Sequence, residues 1–351
     1  MRPLGVVRSW LPLAAVLVAC ASPLAAQRVD GRVVRFSDSV GVVGALVRLF
    51  DSSGTRVAQA TTGTGGAFSL RAPAAGRYRV AVLRIGQRPW RSSSLDLEAG
   101  AVRHPTLAVP DEPITLEAIP VETRSRCRTS PAEGSVVAHL LEEADKALTV
   151  AQLASERPEA GLAVEYYQRT QTRLFETVDS IGASERGVAW PISSVPPEIL
   201  AARGFVREEG DGADAGRGQY TYYGPDAPVL LSRWFVSTHC FGVAEGRGTD
   251  SGAVAVTFRP EGGRRADIEG RLVFEGRTLE LRRIEWRYVR LPWWVTVEGA
   301  AGEMVLDRLP SGAFLPSRWW MRAPIAEVNL RQEPVRVWGW RETGGRVVPS
   351  P

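Results

Sequence analysis

The residues best suited to covalent chemistry lie in the segment 238–241, where a histidine directly precedes a cysteine. His239 and Cys240 could in principle act as a general base and its thiol nucleophile. Neighbouring residues of a strand or helix point in different directions, so this pair does not easily form the required hydrogen bond. The other histidines, His104 and His139, fall in a predicted strand and a predicted helix. The sequence therefore predicts no catalytic residue.

Paired carboxylates are the second chemistry to consider. Glu280 with Glu285, or Asp267 with Glu269, could be proposed as the acid pair of a glycosidase. Residues that alternate along a strand usually form its solvent face, and spacing alone does not place them across a cleft. We therefore keep an envelope hydrolase, with a carboxylate-based or histidine-based site in the C-terminal domain, as the alternative function.

Motifs for metals and nucleotides are absent from the sequence. It contains no His-Glu-x-x-His pair, no Walker loop and no dinucleotide fingerprint. Gly63, Gly65 and Gly66 lie close together, but predicted strands flank them and no helix follows, which argues against a phosphate cradle. We expect no cofactor and no metal ligand.

Aromatic side chains are concentrated in the last third of the chain. One interpretation is a core on one face of a sheet, with packing against other elements on the opposite face. The other is a groove for an apolar or glycan ligand, since stacked aromatic rings suit both acyl chains and sugar faces. The candidate groove residues are Trp286, Tyr288, Trp293, Trp294, Trp319 and Trp320.

The sequence has three cysteines, Cys20, Cys127 and Cys240. Cleavage or lipidation would remove Cys20 from the thiol pool, which leaves an even pair in an oxidising compartment. We therefore predict a disulfide between Cys127 and Cys240, with two buried thiols as the competing interpretation. Closing a loop of this length would stabilise the fold by about 4–5 kcal/mol.

Residues 1–26 have the pattern of a bacterial signal peptide. Arg2 and Arg8 precede or flank an apolar stretch at 11–18, and small residues follow. This stretch is shorter than the roughly 20 residues that span a bilayer. Two processing routes stay open: lipidation at Cys20, which ends a lipobox-like Leu-Val-Ala-Cys, or ordinary cleavage before Gln27. Both predict export to the periplasm or to the outer-membrane-attached cell envelope.

Composition limits the possible partners. A chain of 351 residues accommodates two modest domains, and its basic residues are almost all arginine, because Lys146 is the only lysine. The sequence has no basic run and no aromatic signature of nucleic-acid binding, so we expect no nucleic-acid partner. Membrane association is expected only through a lipid anchor.

The N-terminal part reads as a small antiparallel β-sandwich. Four short segments, at 29–34, 44–49, 61–70 and 76–82, alternate apolar and polar residues, and turn-forming residues bound each of them. This is the pattern of half-buried strands joined by tight turns.

Several motifs in this part resemble the carboxypeptidase regulatory-like domain, a transthyretin-like β-sandwich. They are Gly31-x-Val33, Gly44-Ala45-x-Val47, the glycine-rich turn from Thr62 to Phe68, Gly76-x-Tyr78-x-Val80 and Leu116-x-x-Ile119-x-Val121. The usual aspartate of the glycine-rich turn is replaced by Gly63 or Thr64. The resemblance implies a structural or interaction module, sometimes grouped with carbohydrate-binding-like folds, and it implies no catalytic residues.

A polar linker and an amphipathic helix follow the sandwich. Apolar residues recur at three-to-four spacing from Gly134 to about Glu156, with Ser135 as the predicted N-cap. We predict four regions: a signal peptide at 1–26, the sandwich at 27–122, linker and helix at 123–160, and an antiparallel β domain at 161–351.

Strands at meander spacing fill the C-terminal region. They are predicted at 253–258, 268–275, 279–289, 302–309, 314–322, 325–330 and 335–341, with one short helix within 226–240 and a helical turn at 196–202. The hairpin rhythm is similar to the curved sheet of outer-membrane lipoprotein-carrier proteins, which wraps around a helix to hold acyl chains. The predicted class is mainly β, with a sandwich, a helix and a curved antiparallel sheet (α+β).

These expectations combine into a non-enzymatic exported envelope protein. It would bind or scaffold a glycan, a lipid or an outer-membrane protein partner.

Overall fold

The computed structural model describes residues 27–114, 131–155, 162–172, 176–184, 194–209, 219–246, 250–291, 299–309, 312–327 and 336–349. The fold is mainly β with several antiparallel sheets and few helices, which confirms the predicted class. Cys20, Cys127, Trp293 and Trp294 lie outside the described residues. The predicted boundary at residue 122 also lies outside them and stays a prediction.

The N-terminal part contains nine strands in two sheets. In chain order they are β1 (Gln27–Arg35), β2 (Leu46–Phe50), β3 (Arg56–Thr61), β4 (Ala67–Ala72), β5 (Gly76–Leu83), β6 (Trp90–Arg91), β7 (Leu95–Leu97), β8 (Val102–Arg103) and β9 (Thr106–Val109). The first sheet has the order β4-β1-β8, with β9 also paired to β1. The second sandwich sheet has the order β3-β2-β5-β6, with β7 paired to β5.

Alternation along the strands builds the sandwich core. Val47 and Leu49 of β2 point inward together with Tyr78 and Val80 of β5. The glycine-rich turn requires Gly66, whose φ is +78° and whose Cβ would lie 2.0 Å from the carbonyl oxygen of Val33.

The predicted amphipathic helix forms α1 (Pro131–Ser155). It begins three residues before the predicted start at Gly134, because proline fits the first turn of a helix, where its missing N–H has no partner to lose. Ser135 therefore lies inside the helix and is not its N-cap.

The C-terminal part is built on an open antiparallel sheet of nine strands. Its order is β11-β10-β20-β19-β18-β17-β16-β15-β14, and a separate pair is formed by β12 and β13. The bounds are β10 (Leu162–Thr172), β11 (Glu176–Ser184), β12 (Val206–Glu209), β13 (Gln219–Tyr222), β14 (His239–Glu245), β15 (Ala253–Pro260), β16 (Asp267–Glu275), β17 (Leu281–Val289), β18 (Ala301–Arg308), β19 (Phe314–Glu327) and β20 (Arg336–Pro349).

Two local predictions in the C-terminal part were wrong. The two strands expected at 314–322 and 325–330 are one 14-residue strand, β19. Pro324 is tolerated there because β19 is paired at that point with β20, while its pairing with β18 ends at Arg322.

The single helix expected within 226–240 is two helices, α3 (Ala227–Leu230) and α4 (Arg233–Thr238), in addition to α2 (Pro197–Arg203). Two side-chain caps explain the break. The carboxylate of Asp226 accepts from the amide of Val229, and the hydroxyl of Ser232 accepts from the amide of Phe235.

Within the described residues, no helix is both long enough and apolar enough to cross a bilayer.

Candidate functional site

The second half of helix α1, residues 143–151, is buried on nearly every side because it lies between the two parts of the protein. Leu140, Ala144 and Leu148 are fully buried in one apolar cluster with residues of the nine-stranded sheet. The same cluster includes Leu46 from β2 of the sandwich. A helical segment that is buried all round has packing partners on opposite sides, and here those partners are the sheet and the sandwich.

The side of α1 that faces the sandwich carries a buried ion pair. Glu143 and Lys146 are 1% and 3% exposed, and their charged groups contact each other. Glu143 Oε2 accepts from the amide of Gly86 at 2.7 Å. Lys146 Nζ donates to the carbonyl oxygens of Arg84 and Gln87 at 3.2 and 3.3 Å. We call this contact between α1 and the segment 84–87 the junction.

The sandwich completes the hydrogen bonds of the two charged groups at the junction. Burial raises the pKa of Glu143, and the neighbouring Lys146 and the Gly86 amide act in the opposite direction. Next to the pair, Arg48 of β2 donates to Asp145 of α1 at 2.8 Å. Separating the two parts would break the hydrogen bonds of Glu143 and Lys146 to the segment 84–87, together with the contact between Arg48 and Asp145.

Gly86 also contacts the C-terminal part directly. Its φ is +72°, and a Cβ atom there would lie 1.9 Å from the carbonyl oxygen of Thr278 in the turn between β16 and β17. Only glycine combines this backbone conformation with so close an approach. Residues 84–87 therefore touch both α1 and the nine-stranded sheet.

The predicted groove residues that the structure describes lie on both faces of the nine-stranded sheet. Trp286, Tyr288 and Trp319 are 3%, 0% and 4% exposed and belong to the apolar core. Trp320 lies on the opposite face, half-buried, with the guanidinium of Arg322 at 5.5 Å from its ring. Trp293 and Trp294 lie outside the described residues, so a ligand groove stays a prediction.

The buried aromatic residues carry polar groups with few partners. Tyr288 donates its hydroxyl to the carbonyl oxygen of Tyr223 at 3.0 Å, and the ring of Tyr222 packs edge-on against it at 5.2 Å. Among the described residues, the Tyr222 hydroxyl and Trp286 Nε1 have no hydrogen-bond partner. Burial raises the pKa of both tyrosines, which therefore stay neutral.

The predicted disulfide has one half within the described residues. Cys240 lies in β14, and Cys127 precedes the start of α1 by four residues. Glu133, in the first turn of α1, accepts from the amide of Val243 in β14 at 3.3 Å. This contact brings the start of α1 close to the strand that carries Cys240. Alkylation with and without reduction tests the bridge, and two free thiols in the unreduced protein would contradict it.

His239 is the buried histidine of the C-terminal part. Its ring stacks on Phe235 at 3.8 Å between centroids, and Nδ1 lies 3.0 Å from the Phe235 carbonyl oxygen. Nε2 lies 3.3 Å from Asp267 Oδ1 but makes no well-aligned hydrogen bond. The pairing with Asp267 could not be read from the sequence, because 27 intervening residues separate them.

The carboxylates considered as a glycosidase pair each have an arginine or histidine partner among the described residues. Glu285 accepts from Arg271 at 2.5 Å, and Glu280 accepts from Arg308 at 2.6 Å. Among the described residues, no group of three or more histidine, cysteine or acidic side chains could hold a metal ion.

The outward face of β15–β17 forms a shallow hollow of about 610 Å³. Two arginines of its lining are matched by acids across the strands: Arg271 pairs with Glu285, and Arg287 Nε donates to Glu269 at 2.5 Å. Arg259, the third arginine of the lining, forms no ion pair with any described residue. Arg283, next to the hollow, donates to Asp250 at 2.7 Å. We call this surface the paired face.

Comparison with known families identifies the N-terminal part. Residues 28–109 match the family model of the carboxypeptidase regulatory-like domain, which confirms the resemblance predicted for the sandwich. This domain is non-catalytic in carboxypeptidases and is a protein-binding type of module. No curated protein matches the chain.

Solved structures give only distant likenesses. The TIE protein of Bacillus anthracis is 11% identical, with 47% of this chain and 26% of that chain covered and a TM-score of 0.22. A Bacteroides fragilis protein described as membrane-associated and of unknown function is 10% identical, with 93% and 98% covered and a TM-score of 0.19. A 9R-lipoxygenase from Cyanothece is 10% identical, with 94% and 43% covered and a TM-score of 0.20. Likenesses at these TM-scores carry no argument about function.

Proposed function

We propose that this protein is a non-enzymatic component of the bacterial envelope that binds or scaffolds partners through one rigid two-part body. The observation that carries this proposal is the junction. Glu143 and Lys146 are buried against the segment 84–87, so the sandwich is held in one position on the C-terminal part. Fixed geometry between two surfaces is what a scaffold needs to present them together.

The family to which the sandwich is similar supports a binding role. The sandwich matches a non-catalytic module of a protein-binding type. We take an outer-membrane protein as the first partner to test, because a glycan or lipid ligand in the predicted aromatic groove would require access to the buried residues Trp286, Tyr288 and Trp319. Export rests on the signal-like residues 1–26 and on the small residues that precede Gln27.

A hydrolase is the second candidate, and it rests on the contact between His239 and Asp267. A histidine oriented by a carboxylate is the usual arrangement of a general base. Here the histidine side chain is fully buried and stacked on Phe235, so a substrate has no direct access to it. The non-enzymatic role is therefore the better supported of the two.

Native mass spectrometry of the protein, expressed with its own leader and purified from a bacterial envelope, tests this proposal. A mass that begins at Gln27, or an acylated mass that begins at Cys20, supports export and distinguishes the two processing routes. An adduct that is lost on denaturation favours a glycan or lipid ligand, and its absence favours protein partners. Recovery of the full-length chain in the cytoplasm alone would contradict the proposal.

A further inference from the structure

The outward face of the second sandwich sheet has a covered half and an open half. Leu46, Arg48 and Phe50 of β2 lie on this face, because Val47 and Leu49 alternate with them and point into the sandwich core. Leu46 is buried in the core of the C-terminal part, and Arg48 is paired with α1. Helix α1 thus covers the half of the face that begins at Leu46.

The open half forms a hollow of about 490 Å³ beside Phe50. Arg77 and Arg79 of β5 point outward, because Tyr78 and Val80 alternate with them in the core. Arg91 of β6 pairs in register with Ala81 of β5 and so lies on the same face. We call this surface, lined by Phe50, Arg77, Arg79 and Arg91, the cationic hollow.

The two acids at the cationic hollow leave two arginines without a counter-charge. Asp96 is paired with Arg77, at 3.1 Å. Asp51 accepts from the hydroxyl of Ser53 at 2.6 Å and from two amides of its own turn, and these bonds lower its pKa. In the described part of the chain, no carboxylate forms an ion pair with Arg79 or Arg91.

This arrangement does not stabilise the sheet. Arg79 and Arg91 are diagonal neighbours across β5 and β6, a relation that places them about 7–8 Å apart, and like charges at such positions repel each other. Both side chains are exposed. The paired face, in contrast, matches Arg271, Arg283 and Arg287 with acids. Uncompensated guanidinium groups beside an aromatic ring are therefore a feature of the cationic hollow.

We propose that the cationic hollow binds a phosphate group of a small ligand. A guanidinium presents parallel N–H donors that match phosphate oxygens, and Arg79 and Arg91 line the hollow together with Ser52 and Ser53. Phe50 provides an apolar contact for the organic portion of the ligand. The volume is within the range of small-molecule sites. This adds a ligand class to the proposed binding role, and its test does not depend on export.

Two sources share this chemistry, and the experiment separates them. Calorimetry with glucose 6-phosphate measures binding of a soluble phosphate ester by the purified full-length mature protein. Cosedimentation with phosphatidylcholine vesicles, prepared with and without phosphatidic acid, measures binding of a lipid phosphate. Binding to either probe, weakened by added salt, supports the proposal and identifies the source. Failure to bind both probes would overturn it.

Matched variants assign the binding to the hollow. Arg79→Gln and Arg91→Gln should each weaken binding about tenfold or more, because each removes a charge-assisted donor. Arg287→Gln, which removes an arginine from the paired face, is the control and should leave binding within about twofold, since that arginine is compensated by Glu269. Thermal unfolding checks that each variant is folded. Equal losses in all three variants, or unchanged binding in Arg79→Gln and Arg91→Gln, would overturn the assignment.

Discussion

The outward faces of the nine-stranded sheet and of the second sandwich sheet are both rich in arginine, but they differ in whether those arginines have acidic partners. On the paired face, Arg271, Arg283 and Arg287 each contact an acid at ion-pair distance. In the cationic hollow, Arg79 and Arg91 have no such partner among the described residues. Arginine is abundant throughout the sequence, so the two surfaces differ in the positions of their acidic residues and not in their arginine content. A surface whose charges are left uncompensated is the better candidate for binding.

At the junction, in contrast to both surfaces, the charged groups are paired and also buried. Glu143 and Lys146 have lost almost all contact with water, and backbone groups of the segment 84–87 complete their hydrogen bonds. Exposed pairs contribute little to stability, whereas breaking a buried pair is strongly unfavourable. Breaking an ion pair should therefore cost much more stability at the junction than on the paired face.

The largest loss of stability is expected from a substitution at the junction. Lys146→Met leaves Glu143 buried without its counter-ion and should lower the free energy of unfolding by about 3–5 kcal/mol. Urea denaturation of the full chain measures it. The double variant Glu143→Met/Lys146→Met removes both charges and should recover much of the loss. A Lys146→Met protein as stable as the original would contradict the assignment.

The loss in Lys146→Met should depend on pH. Burial raises the pKa of Glu143, so the folded state binds its proton more tightly than the unfolded state does. The difference in the free energy of unfolding between Lys146→Met and the original protein should be largest at neutral pH. It should shrink as the pH falls toward the usual carboxyl pKa of 4.5. Urea midpoints of variant and original protein measured over this range test the sign. A deficit that grows on acidification would be the opposite of what we expect.

Two neighbouring tryptophans test the two faces of the nine-stranded sheet. Trp319→Ala should cost about 3–5 kcal/mol, because the ring is buried in the core. Trp320→Ala should cost much less, since Trp320 is half-buried on the opposite face. Denaturant unfolding of both variants measures the contrast. Equal, small losses would instead favour an open groove on the inner face.

The smallest effect is expected on the paired face. Glu285 serves both Arg271 and Arg283, yet all three side chains remain partly exposed. Glu285→Gln should therefore lower the free energy of unfolding by about 1 kcal/mol or less. Thermal unfolding at low and high salt measures it, and the difference between variant and original should narrow at high salt. A loss as large as that of Lys146→Met would remove the contrast between exposed and buried pairs.

Local pattern predicted much of this architecture. Alternation gave the sandwich strands at β1, β2, β4 and β5, and three-to-four spacing gave α1. The two errors in the C-terminal part came from side-chain caps at Asp226 and Ser232 and from Pro324, whose tolerance depends on which neighbouring strand is paired there. Such features depend on the partner strand or on a single hydrogen bond, which periodicity does not report.

Long-range charge pairing could not be predicted. Lys146 stands out in the sequence as the only lysine, but its contacts with Arg84 and Gln87 join residues about 60 positions apart. The three-to-four spacing of apolar residues in α1 indicated one buried face, whereas the helix packs against both the nine-stranded sheet and the sandwich. The cationic hollow likewise depends on the register that places Arg91 opposite Ala81. Spacing within one element contains no information about these contacts.

Selective acylation of Lys146 tests the central claim, that the sandwich is fixed on the C-terminal part. An N-hydroxysuccinimide ester reacts with amines, and peptide mass mapping separates Lys146 from the chain terminus. Because Lys146 is buried in the junction, we expect no acylation of it in the native protein and full acylation in urea. Rapid acylation of Lys146 in the folded protein would show that the two parts separate freely, and it would contradict the rigid scaffold.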